Sequence, residues 1–136
     1  MTKQINVTRI SIVFMLLIGA MLISVVPCGA VEPRYMGVSV LTTDFSISGN
    51  GKATCESVCT ARNGYTVELT IELEQKTGNT WETIRTWSEE GTKISFEKSI
   101  YVVSGYDYRL KVSADVRNGN GTVIESPVAY SNEVPY

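Results

Sequence analysis

The sequence predicts an all-β fold, a single antiparallel β-sandwich of about seven strands behind a hydrophobic leader. Three observations carry this. Apolar and polar residues alternate with period two over Tyr65–Glu74 and again over Tyr106–Val116, the mark of half-buried strands. Gly/Asn clusters at Gly49-Asn50-Gly51, Arg62-Asn63-Gly64, Lys76-Thr77-Gly78-Asn79 and Arg117-Asn118-Gly119-Asn120-Gly121 punctuate the chain as hairpin turns do. No segment after the leader carries a helical period, so short strands joined by tight turns are what remains, and two sheets give each strand one dry and one wet face.

The chain has 136 residues. It begins with Lys3 and Arg9, an apolar or small run from Ile10 to Val26, and Pro27-Cys28-Gly29-Ala30. A basic start, a hydrophobic middle and a small-residue site read as a secretory signal, residues 1–30, with cleavage after Ala30. An uncleaved anchor is a second reading. Lipid attachment at Cys28 is a third, against which Val25-Val26-Pro27 departs from the Leu-small-small pattern. Residues 31–136 then make one ordinary domain. The formal charge is −2 with 12 bases against 14 acids, and losing Lys3 and Arg9 leaves the remainder more acidic. Nucleic acid or an anionic membrane calls for a clustered basic face, and the sequence has none.

After a short lead-in at Val31–Arg34, residues 37–48 read as a first strand. Its apolar parity slips near Thr42-Thr43-Asp44, where a bulge is expected. Residues 52–61 place Ala53, Cys55, Ser57, Cys59 and Ala61 on one face, and residues 65–74 form the next strand. Trp81–Trp87 reads as a strand from its Thr, Ile and Trp content, followed by a loop at Ser88–Thr92. Along 93–103 Lys98 interrupts the apolar parity, predicting a bulge or a snorkelling lysine. Tyr106–Val116 comes next, and in the last run, 122–134, Pro127 confines the strand to a sheet edge or changes its partner.

Tyr108-Arg109-Leu110-Lys111-Val112-Ser113-Ala114, preceded by Gly105 and followed by Asn118 and Gly121, resembles the sixth strand of fibronectin type III and related immunoglobulin-like domains. The resemblance implies an immunoglobulin-like sandwich in which Tyr108 is the tyrosine corner, its hydroxyl bonding backbone a few residues upstream. The tryptophan that fibronectin type III domains carry on the second strand is absent, and tryptophans stand instead at 81 and 87. The whole layout, leader, small-residue strand with a cysteine, Gly-Asn-Thr-Trp-Glu-Thr-Ile-Arg-Thr-Trp-Ser and the tyrosine strand, also resembles small secreted proteins of Gram-positive, clostridia-like bacteria whose function is unassigned. That implies an extracellular bacterial origin.

Three groups of residues are candidates for more than folding. Cys55 and Cys59 are the cysteines left after cleavage. A straight strand separates them by about 13 Å where a disulfide needs Cα atoms within about 7 Å, leaving both as buried thiols, whereas a bulge or turn would permit a local disulfide. Trp81, Arg85 and Trp87 share a face if the strand is unbroken, either as an exposed aromatic binding platform or with a tryptophan closing the core. Glu68, Glu72 and Glu74 line the outer face of their strand and read as solvated charge.

The sequence contains no histidine, which removes Ser-His and Cys-His nucleophile sets and the HExxH zinc site. No catalytic, metal or cofactor-binding set is visible. The reading is a secreted, non-enzymatic binding or interaction module for a protein or glycan, needing no cofactor, with no nucleic-acid role and no membrane attachment after cleavage. The alternatives are a cell-envelope component self-assembling through its edge strands, and an inhibitor or toxin-like effector acting through Ser88–Thr92 or Asn118–Gly121.

Overall fold

The computed structural model describes residues 35–136, so the leader, its cleavage site, Cys28 and most of the lead-in lie outside the described residues. The described chain is all-β: β1 (Val38–Ile47), β2 (Lys52–Ala61), β3 (Thr66–Thr77), β4 (Thr80–Gly91), β5 (Lys93–Tyr101), β6 (Asp107–Arg117), β7 (Val123–Glu125), β8 (Val128–Tyr130) and β9 (Val134–Pro135). They form two antiparallel sheets. One runs β1-β2-β5; the other runs β4-β3-β6, with β7, β8 and β9 laid in succession along the free side of β6.

The period-two pattern decides which side chains meet between the sheets. On β3, Val67, Leu69, Ile71 and Leu73 are buried, and on β6 Tyr108, Leu110, Val112, Ala114 and Val116 alternate strictly with partly exposed polar residues. The facing sheet contributes Phe45, Ala53, Cys55, Cys59, Ile94 and Phe96. Ser57 is buried in the same row, and its hydroxyl donates to the Thr42 carbonyl at 2.8 Å. Among the described residues no buried side-chain polar atom lacks a partner, as a dry core requires.

Several expectations shift by a few residues, for identifiable reasons. The parity change in β1 falls between Val38 and Val40, not at Thr42–Asp44, because the register slips at Ser39; from Leu41 onward the inward positions are regular. There is no loop at Ser88–Thr92. Residues 88–91 continue β4, with Ser88 opposite Thr70 and Gly91 opposite Val67, since an edge strand facing water tolerates Glu89 and Glu90. β5 has no bulge at Lys98: the lysine keeps its register opposite Cys55 and reaches solvent from the edge. The last run is cut into three pieces, which all keep β6 as partner. At the break, the Pro127 carbonyl accepts from the Ala114 N–H at 2.9 Å, so the proline that cannot donate still serves as an acceptor.

The N-terminal end of the described chain is tied down by Glu125, whose carboxylate accepts from the Met36 and Gly37 N–H groups at 2.9 and 2.7 Å. Gly37 is needed there because a Cβ would collide with Val116 and crowd Tyr65.

Candidate functional site

β4 decides where the tryptophans go. Leu73 lies opposite Arg85 and Glu74 opposite Thr83, so Ile84 is an extra residue bulged out of the ladder. Opposed residues share a face, and the inserted residue therefore reverses the parity of everything before it. Trp87, opposite Ile71, points inward and packs against Phe96 at 5.5 Å between ring centroids, tilted 53°. Trp81, opposite Lys76, lies on the outer face.

Trp81, Arg85 and Trp87 therefore do not form one platform. Arg85 has the inward parity of Leu73 but is exposed, since β4 is the sheet edge. Lys98 occupies the equivalent place on β5, the edge of the other sheet. Charged side chains with inward parity obstruct the approach of a further strand.

What Trp81 does meet is a cluster that no local pattern announced. The Arg109 guanidinium lies 4.1 Å from the centroid of the Trp81 ring and 4.5 Å from that of Tyr130, and Arg109 Nε donates to Glu74 Oε2 at 2.6 Å. The register accounts for it: Glu74 is opposite Arg109 on the neighbouring strand, and both face outward. Glu74 is only 7% exposed, and Arg109 is the cation paired with it. Lys76 Nζ stands 5.5 Å from the same Trp81 ring and 4.0 and 3.8 Å from the carboxylates of Asp107 and Glu133. Along the same face Lys111 pairs with Glu72 at 2.8 Å and Arg117 with Glu68 at 2.9 Å. The hydrogen bond that the Lys111 ammonium donates to the Glu72 carboxylate pushes its pKa above the ordinary value. The three glutamates of β3 are thus partners in cross-strand pairs rather than free solvated charges.

Lys76 also borders a groove of about 630 Å³ at the end of the domain, between the β3–β4 turn, the β5–β6 loop and the last residues. Asn79, Tyr106, Asp107 and Tyr136 line it, with Gly78 and Gly105 between them. Tyr108 sets the loop on one side: its ring is fully buried, and its hydroxyl donates to the Val103 carbonyl at 2.7 Å. Burial raises the Tyr108 pKa. Tyr136 is held by backbone bonds to Tyr106, its N–H donating at 2.9 Å and its carbonyl accepting at 3.2 Å. Its ring lies over Gly51, where φ is +82° and a Cβ would stand 2.9 Å from the hydroxyl.

Cys55 and Cys59 are free, buried thiols. The bulge that would have joined them is absent: β2 is regular from Lys52 to Thr60, with Cys55 opposite Phe45 and Cys59 opposite Leu41. Burial pushes their pKa values up to about 12 and about 11, which keeps them unreactive. Among the described residues no group of three His, Cys, Asp or Glu side chains is placed to hold a metal ion, and no helix is long and apolar enough to cross a membrane. Comparison with protein-family models, curated proteins and solved structures yields no match.

Proposed function

We propose that this chain is exported by the signal at residues 1–30, cut after Ala30, and works outside a Gram-positive bacterial cell as a non-enzymatic binding module of immunoglobulin-like fold. The fold reading draws support from the strand order, first-second-fifth in one sheet and fourth-third-sixth-last in the other, and from the bond of Tyr108 to a carbonyl five residues upstream. The observation that carries the binding function is the corner at which Trp81, Tyr106, Tyr130 and Tyr136 gather around Lys76, Arg109 and Asp107. Aromatic rings held rigidly beside charged forks are what binding surfaces concentrate. The sequence has no histidine to serve as a general base, and binding is the simplest use of that corner.

Self-assembly through strand edges is the weaker reading. Arg85 and Lys98 place charge at the open edges of β4 and β5, and the strand beside β6 is interrupted at residues 126–127, where Pro127 stands, and again at 131–133. An effector acting through Ser88–Thr92 loses its loop, because most of that segment is strand.

The test is capture from the producing cell's envelope and from host extracts, using wild type and the Trp81→Ala and Tyr130→Ala variants. A ligand retained by wild type and lost by both variants is the expected result. Retention by both variants, with folding intact by circular dichroism, would refute the assignment of this corner.

A further inference from the structure

We infer that the groove at this corner holds one or two units of a neutral polysaccharide, an inference that rests on the binding-module reading above. Its floor is backbone: nothing lies within 4 Å of where Cβ atoms would stand on Gly78 and Gly105, so a ligand can approach the main chain closely. Its walls combine two kinds of group. Tyr106, 38% exposed, and the half-buried Tyr136 offer ring surface. Asn79, Asp107 and Lys76 offer an amide, a carboxylate and an ammonium.

That mixture matches a sugar ring, whose C–H face stacks on an aromatic surface while neighbouring hydroxyls fork onto a carboxylate or amide. Charge argues for a neutral sugar. Lys76 already faces Asp107 at 4.0 Å and Glu133 at 3.8 Å, so no spare cation is left to attract phosphate, sulfate or uronate. The groove volume falls in the ordinary range for ligand sites. It is nevertheless open, without the deep apolar pocket in which a protein partner would bury an anchor. An open groove suits an extended chain passing over it.

The experiment is calorimetric titration of the full chain, kept in solution by mild detergent, with neutral β-1,4-linked hexasaccharides of glucose, xylose, mannose and N-acetylglucosamine. Saturable binding of at least one is expected, weakened about tenfold or more by Tyr106→Ala and by Asp107→Ala, and unchanged by Val58→Ala on the opposite sheet. Asn79→Ala, on an exposed turn, provides a second groove variant should Tyr106→Ala fold poorly. Absence of binding across the panel, or binding indifferent to Tyr106→Ala, Asp107→Ala and Asn79→Ala alike, overturns the inference. If the panel fails while capture from extracts still depends on Trp81 and Tyr130, the sugar site falls and the binding module stands.

Discussion

Replacing Tyr108 by phenylalanine keeps the fully buried ring and deletes one hydroxyl. Two contacts go with it, the 2.7 Å bond to the Val103 carbonyl and a long 3.4 Å approach to Gln75 Oε1. The second is too long to count for much. A neutral intramolecular hydrogen bond contributes about 1 kcal/mol net, and a carbonyl left dry costs more. Val103 is 63% exposed, so water can reach its carbonyl once the loop relaxes, which holds the loss to about 1 to 1.5 kcal/mol. For a domain near 100 residues each kcal/mol moves Tm by about 4–8 °C, giving a drop of roughly 4–12 °C. Urea melts followed by tryptophan fluorescence should show a lower midpoint and an unchanged m-value. The loop of residues 102–106 should also exchange its amide hydrogens faster, because the hydroxyl is what fastens it to β6. A loss below about 0.3 kcal/mol, with loop exchange unaltered, would refute the claim that this bond sets the groove wall.

Three further expectations follow from the same geometry. Native Cys55 and Cys59 should resist alkylation without reductant and each take one alkyl group after unfolding; their raised folded pKa values make stability complete below about pH 9 and progressively lost as pH rises toward about 11 to 12, by up to about 1.4 kcal/mol per pH unit for each thiol, a slope the Cys55→Ala/Cys59→Ala variant should reduce. Iodide should quench Trp81, beside two cations, more strongly in the Trp87→Phe variant than it quenches Trp87 in Trp81→Phe; equal quenching would contradict the bulge at Ile84. Asp44, Glu56 and Glu97 stand directly opposite one another across the outer face of β1-β2-β5, so Glu56→Lys should stabilise the domain by about 0.5–1 kcal/mol in low-salt denaturation, with the gain shrinking as salt is added.

How much of this was legible beforehand depended on how far apart the causes lie in the chain. The alternation of β3 and β6 could be read directly, since each inward residue is two positions from the next and both strands are central. The role of Tyr108 was legible only through the resemblance of its strand to the sixth strand of fibronectin type III domains, which implies a bond to backbone a few residues upstream, where Val103 stands. Trp81 and Trp87 were not. Six residues apart, they share a parity in the sequence, and only the register against β3 exposes Ile84 as the residue that breaks it. The Arg109 cluster was beyond any local pattern, because it draws Glu74, Trp81, Arg109 and Tyr130 from four strands. Even so, the outward parity of Glu74 and Arg109 was a signal, for two strands that pair must set some of their outward charges side by side.

The places where alternation failed have one cause. Arg85 and Lys98 sit where an apolar residue belongs by parity, and both lie on edge strands. On a central strand either charge would be buried without a partner at prohibitive cost. At an edge the side chain escapes to water, and its presence makes the addition of another strand unfavourable. An irregular residue in this sequence is therefore evidence of an edge before it is evidence of a binding site. Arg85 therefore guards the edge of β4 and is no part of the proposed recognition surface. That leaves Trp81, which stands on the same edge strand but carries no charge to oppose a further strand, and whose ring is held by Arg109 and Lys76 beside the groove. A tryptophan turned away from an available core and held over two cations forgoes burial that Trp87, six residues later, obtains. The bulge at Ile84 separates their fates, and recognition at the corner is the use we propose for the ring it leaves outside.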